Sequence, residues 1–337
     1  MAVAVIEKRR RTTVSPQRYR SIAIAASLVL ALIIFTGAAV RLTQSGLGCE
    51  DWPTCNDNQL VPAASFHGWI EFGNRLLSGA VAASVAAAVL TAYRRSPRRA
   101  DLVRWAWGLV AGVLGQIFLG GATVLVDLHP AFVAAHYLLS AILMWNSLVL
   151  ISKASGGPGP AVPLVPSSMI QHGRALVILA ATVLVTGTVV TGSGPHSGDA
   201  RAARFGFHLD DVVRIHSVTA WFFVATTVTL VIRLAPVTGT APEWRTIRRN
   251  GQVLLAATVA QGTIGYWQFF TGVPAGLVQL HVMGSVAVWC AALWLHLSLS
   301  RRPEEVPVSD EIPTERLLGS ELAARGTLES CRQHHSG

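Results

Sequence analysis

Apolar runs long enough to cross a bilayer recur along this chain, separated by short polar segments. They cover Ser21–Val40, Phe66–Tyr93, Leu102–Val126, Ala131–Ile151, Gly173–Thr191, Asp211–Leu234, Gly251–Thr271 and Gly276–Ser300. A helix needs roughly 20 apolar residues to traverse about 30 Å of hydrocarbon, so the pattern predicts an all-α polytopic membrane protein with eight transmembrane helices. Lys8, Arg9, Arg10 and Arg11 precede the first run as they would a signal peptide, and the small residues from Gly37 to Ala39 leave cleavage open as an alternative. The run is longer than a signal core, so an uncleaved first helix is expected.

The polar segments orient this set. Basic residues crowd the N-terminal tail, the loop at Arg94, Arg95, Arg98 and Arg99, the loop at Arg245, Arg248 and Arg249, and the exit at Arg301 and Arg302. Eight alternating helices put all of these on one side, which the positive-inside rule makes cytoplasmic, so both termini are expected there in a plasma-membrane protein. Composition agrees, with 51% hydrophobic and only 13% charged residues. The net charge of +9 is thereby explained by topology, and no nucleic-acid-binding motif accompanies it.

The chain also repeats itself. A shift of 145 residues carries Gln116, Gly120 and His136 onto Gln261, Gly265 and His281, while Thr36-Gly37 and Thr186-Gly187 recur in the first and fifth helices. Four helices separate the copies, so the repeats are parallel and predict two four-helix bundles related by a pseudo-two-fold axis. The expected divisions are a tail over residues 1–20, an N-terminal half over 21–151, a Gly/Pro-rich cytoplasmic linker over 152–172, a C-terminal half over 173–300 and a disordered polar tail over 301–337.

His136, His216 and His281 stand out among eleven histidines because they lie in apolar stretches at one depth, each within about two turns of the outward helix end. One such His is usually satisfied by a neighbouring helix, but three at one depth, two of them repeat-equivalent, favour metal ligation. Two imidazoles from facing helices can hold a b-type haem, which makes His216 and His281 the second-half pair. In the first half the position matching His216 is Asn74, leaving its iron to His136 alone, to water, or to His67 two turns away. Glu71, on the same face as Asn74, is a candidate for proton transfer or electrostatic stabilisation, the alternative being an ion pair with Arg75. Arg41, Arg75 and Arg214 could pair with haem propionates or serve as interfacial anchors. Cys49 and Cys55 share the first outward loop, where a disulfide is expected over free thiols or a metal pair.

Together the eight helices in two halves, the Cys49/Cys55 loop, the segment from Glu71 to Arg75 and the three histidines resemble the haem A synthase family over about residues 20–300. The resemblance implies oxidation of the C8 methyl of haem O to a formyl group, giving haem A for cytochrome oxidase. It implies haem b ligated by His216 and His281, haem O as substrate ligated by His136, Glu71 as the catalytic carboxylate, and Asn74, Arg75 and Arg214 in the haem environment. Cys49 and Cys55 match the family's paired cysteines, expected to form a disulfide that can also exchange electrons. The second helix departs from the expected Glu-x-x-His-Arg pattern at Asn74, and the loop over 192–210 lacks a second Cys pair. Implied partners are a haem O synthase as the source of substrate, an electron-transfer protein, membrane lipid and, as one assembly, a homo-oligomer. The alternative from another class is a di-haem cytochrome b passing electrons to or from quinone.

Overall fold

A computed structural model of the protein describes residues 13–49, 51–55, 59–62, 65–235 and 242–303. It is all-helical apart from one small strand pair. The helices are α1 (Pro16–Leu42), α2 (Phe66–Arg94), α3 (Ala100–Leu125), α4 (Pro130–Ala154), α5 (Ser167–Ser193), α6 (Leu209–Leu234), α7 (Pro242–Phe270) and α8 (Ala275–Ser298). Four of them, α1, α4, α5 and α7, run three or more residues past the apolar segments at one end, into flanking polar residues. Ser15 accepts from the Arg18 N–H ahead of Pro16 at the start of α1, and Ser65 accepts from the Gly68 N–H at the start of α2.

Seven of these helices are long and apolar enough to cross a membrane. The exception is α7, which matches the others in length but carries Gln252, Gln261 and Gln268 as well as Glu243, Asn250 and three arginines. Apolarity alone therefore supports a multi-pass membrane protein with seven candidate spans, one fewer than expected. Large apolar side chains cover the outside, among them Phe118, Phe222, Phe270, Ile178 and Ile232. Water would penalise such a surface, whereas lipid does not.

Helix contacts run α1 on α2, α2 on α3, α3 on α4 and α4 back onto α1, and the same cycle recurs from α5 to α8. Helices α1, α4, α5 and α8 meet in the middle. Their polar groups are bonded across the seam: Ser27 to Ser147 at 3.0 Å, Tyr137 to Ser285 at 2.6 Å, and Trp289 Nε1 to the Ala141 carbonyl at 2.9 Å. In a medium without water such groups must find internal partners.

At one end of the molecule lie Val14 bonded to Arg94, Arg99 paired with Asp101, and the strand pair β1 (Val162–Pro163) with β2 (Ser300–Arg301). The linker and the start of the expected tail are thus ordered against each other. At the other end Gly46 bonds Gly198, and Leu47, Val124, Leu128 and Ala202 form a small apolar cluster. The basic N-terminal segment over 1–12, the remaining tail over 304–337 and its two histidines lie outside the described residues.

Candidate functional site

His216 on α6 and His281 on α8 face each other with ring centroids 6.4 Å apart and planes crossing at 77°. A metal–imidazole bond of about 2 Å plus about 1.1 Å from nitrogen to ring centre, taken on both sides, gives about 6 Å. The observed spacing therefore suits one iron between the two rings. Thr186 Oγ1 donates to the Val183 carbonyl and lies 3.0 Å from His216 Nδ1. An Nδ1–H donated to this hydroxyl is the tautomer that would leave the Nε2 lone pair for a metal. His281 is placed by α7: Gln261 Nε2 donates to its carbonyl at 2.8 Å. Its buried Nδ1 has no partner.

Glycines make room for both rings. A Cβ added at Gly187 would come within 3.2 Å of His216 Cε1, and one at Gly265 within 2.9 Å of His281 Cε1. The residues present therefore fit a bis-imidazole haem.

The first half repeats this frame with one change. His136 on α4 lies against Gly120, where a Cβ would meet Cε1 at 3.3 Å, and its carbonyl accepts from Gln116 Nε2 at 3.1 Å. Its buried Nδ1 is unpartnered. Thr36, the counterpart of Thr186, donates to Asn74 Oδ1 at 2.7 Å. A Cβ at Gly37, the counterpart of Gly187, would meet nothing within 4 Å. Asn74 thus takes the place of His216 and keeps its threonine partner. His67 is engaged elsewhere, with Nδ1 2.9 Å from Ser45 Oγ.

Glu71 is buried on α2 beneath the loop that joins α1 to α2. Its Oε1 takes two hydrogen bonds from Arg75, at 2.6 and 3.1 Å, and its Oε2 accepts the Cys49 N–H at 2.8 Å. Arg75 also donates to the carbonyls of Asp51, Thr54 and Cys49. All five guanidinium donors are then committed, so Arg75 ties the loop down rather than standing ready for a propionate. Cys49 and Cys55 are joined in a disulfide, which closes the alternatives of free thiols and a metal pair. Arg41 donates to the Thr191 carbonyl at 2.9 Å. Arg214 is exposed and leaves α6 about 200° around from His216, so it is not brought against the histidine pair.

With this geometry established, comparison with known proteins is decisive at one level. A model of the cytochrome oxidase assembly protein family matches residues 20–293. The chain belongs to that family. The matched stretch contains the whole site, from Thr36 to His281.

Proteins named "Heme A synthase" are similar to parts of it. The one from Geobacillus kaustophilus is 35% identical over 107 residues, 31% of this chain and 33% of that protein. Those from Lysinibacillus sphaericus and Halalkalibacterium halodurans are 30% identical over 129 residues and 26% over 170, covering 38% and 50% of this chain and 42% and 55% of their own lengths. The chain thus aligns with between a third and just over half of these relatives.

Thr36, Thr186, Gln116, Gln261, Gly120 and Gly265 stand out in the sequence only as repeat markers. In the structure Thr186, Gln116, Gln261, Gly120 and Gly265 contact His216, His136 and His281, and Thr36 bonds Asn74. Their recurrence at constant offsets was the available signal.

Proposed function

We propose that the chain is a haem A synthase, oxidising the C8 methyl of haem O to a formyl group, with haem b held between His216 and His281 and haem O taken up beside His136. The 6.4 Å spacing of the His216 and His281 rings carries this reading, and membership of the cytochrome oxidase assembly family supports it. Iron porphyrin supplies electron transfer and oxygen chemistry when bound. Thr186 fixes the His216 tautomer, and Gln261 and Gly265 set the position of His281. Gln116 and Gly120 do the same for His136.

Glu71 is the proposed catalytic carboxylate, a buried charge one turn from Asn74 whose two oxygens are held by Arg75 and Cys49. In this role it holds negative charge or a proton beside the first-half site. Haem O would arrive from a haem O synthase, and electrons would leave to an unidentified partner.

We further propose that all eight helices span the membrane as two parallel-repeat halves with both termini cytoplasmic. The ends of α7 support its place in the set. Glu243 at its start pairs with Arg301 at 2.5 Å, and the Val273 carbonyl just beyond its end bonds His196 at the opposite face.

The test is expression in a host that makes haem O but lacks its own synthase, followed by chromatography of extracted haems. Haem A or a hydroxylated intermediate is expected, and unchanged haem O would overturn the enzymatic reading in favour of electron transfer alone. Glu71→Ala should abolish conversion while His216 and His281 still retain haem b. Loss of all haem in that variant would make Glu71 structural instead.

A further inference from the structure

The two halves share one frame of contacts, so a difference within that frame is informative. In each half a glutamine one turn ahead of a glycine holds the carbonyl of a histidine, and the histidine ring lies on that glycine. In each half a threonine on the first helix bonds a residue of the second helix, which in the second half faces His281. That residue is His216 in one half and Asn74 in the other. No other described histidine replaces the missing ring. His67, the nearest in sequence, is held by Ser45, and Gly48 packs so closely on the His67 carbonyl that a Cβ there would lie 2.4 Å from it. His67 is therefore part of the loop anchor.

Asn differs from His in two respects that matter here. Its side chain ends about one bond short of the imidazole Nε2, and its amide is a poor ligand for iron. Because Thr36 donates to Asn74 Oδ1, the amide NH2 is the end left to donate. Gly37, open where Gly187 is covered by a ring, adds space on the same side.

We propose that Asn74 makes the haem sites functionally unequal: His216 and His281 close both axial faces of the second-half haem, while the first-half haem is held by His136 alone, and Asn74 donates a hydrogen bond to a small ligand on its open face. This rests on the haem-binding reading above. It assigns to the first half the site where a diatomic molecule or water reaches the iron, and to the second half a coordinatively closed electron carrier.

The test uses the purified full chain titrated with haemin as the probe, then reduced and exposed to carbon monoxide. Two haems per chain are expected, of which one binds carbon monoxide and one does not. His136→Ala should lose the carbon monoxide-binding haem and keep the other. Asn74→His should convert the reactive haem to a six-coordinate low-spin species and abolish its carbon monoxide band. Asn74→Leu should still bind carbon monoxide but with the C–O stretch moved to higher frequency, since a hydrogen-bond donor is lost.

If Asn74→His fails to fold, the wild type, His136→Ala and Asn74→Leu still decide. Two low-spin haems inert to carbon monoxide in the wild type, saturation at one haem per chain, or a C–O stretch unmoved by Asn74→Leu would overturn the proposal. Binding of no haem at all would instead overturn the haem-binding reading on which it rests.

Discussion

The sharpest single-residue contrast lies between two glycines that the repeat places in equivalent positions. A Cβ at Gly187 would meet an imidazole and one at Gly37 would meet nothing within 4 Å, although both sit inside helices. Replacing helical glycine by alanine ordinarily gains about 0.5–1 kcal/mol. Gly37→Ala should therefore leave the haem between His216 and His281 unchanged and raise thermal stability slightly. Gly187→Ala and Gly265→Ala should displace His216 and His281 and weaken the second-half haem, measured as a lower haem-to-protein ratio after purification. Equal tolerance at Gly187 and Gly37 would contradict the cradle role. The three histidines were legible from depth and spacing alone. The glycine contacts were not, because a shared offset says that two residues correspond without saying what each touches.

At the scale of elements, the loop between α1 and α2 and the helix α2 form one unit. Glu71 and Arg75 are four apart on α2 and face the same way, and together they bind three loop carbonyls and one loop N–H. Removing one member of a largely buried ion pair costs about 3 kcal/mol. Arg75→Ala should accordingly loosen the loop, and Cys49 and Cys55 should be labelled by maleimide much faster after mild reduction than in the wild type. An unchanged labelling rate would mean that the loop is held by other contacts. Sequence spacing gave the Glu71–Arg75 pair as an alternative to a catalytic carboxylate, and the structure contains that pair. What could not be read was the role of Arg75, because three of its five hydrogen bonds go to backbone carbonyls of residues more than twenty positions away. The helix α7 posed the opposite problem. Its glutamines lower its apolarity, yet Gln261 is the residue that fixes His281.

Across the whole molecule, duplication explains why most of the architecture was visible in the chain: apolar length marks the helices, and a repeated motif pairs them. The order of the linker against the end of α8, through β1 and β2, escaped notice because strands of two residues carry no periodic signal. Reporter fusions in the 152–172 linker and in the 194–208 loop should report opposite sides of the membrane, the linker being cytoplasmic. The same side for both would break the alternation on which the repeat depends. The account as a whole stands on His216 and His281 sharing one iron, and low-temperature electron paramagnetic resonance of the oxidised protein tests that most directly. Ring planes crossing at 77° predict the highly anisotropic low-spin signal of near-perpendicular imidazoles, lost in His216→Ala and in His281→Ala and retained in His136→Ala. A signal that survives either of the first two substitutions, or that disappears with His136, would contradict it.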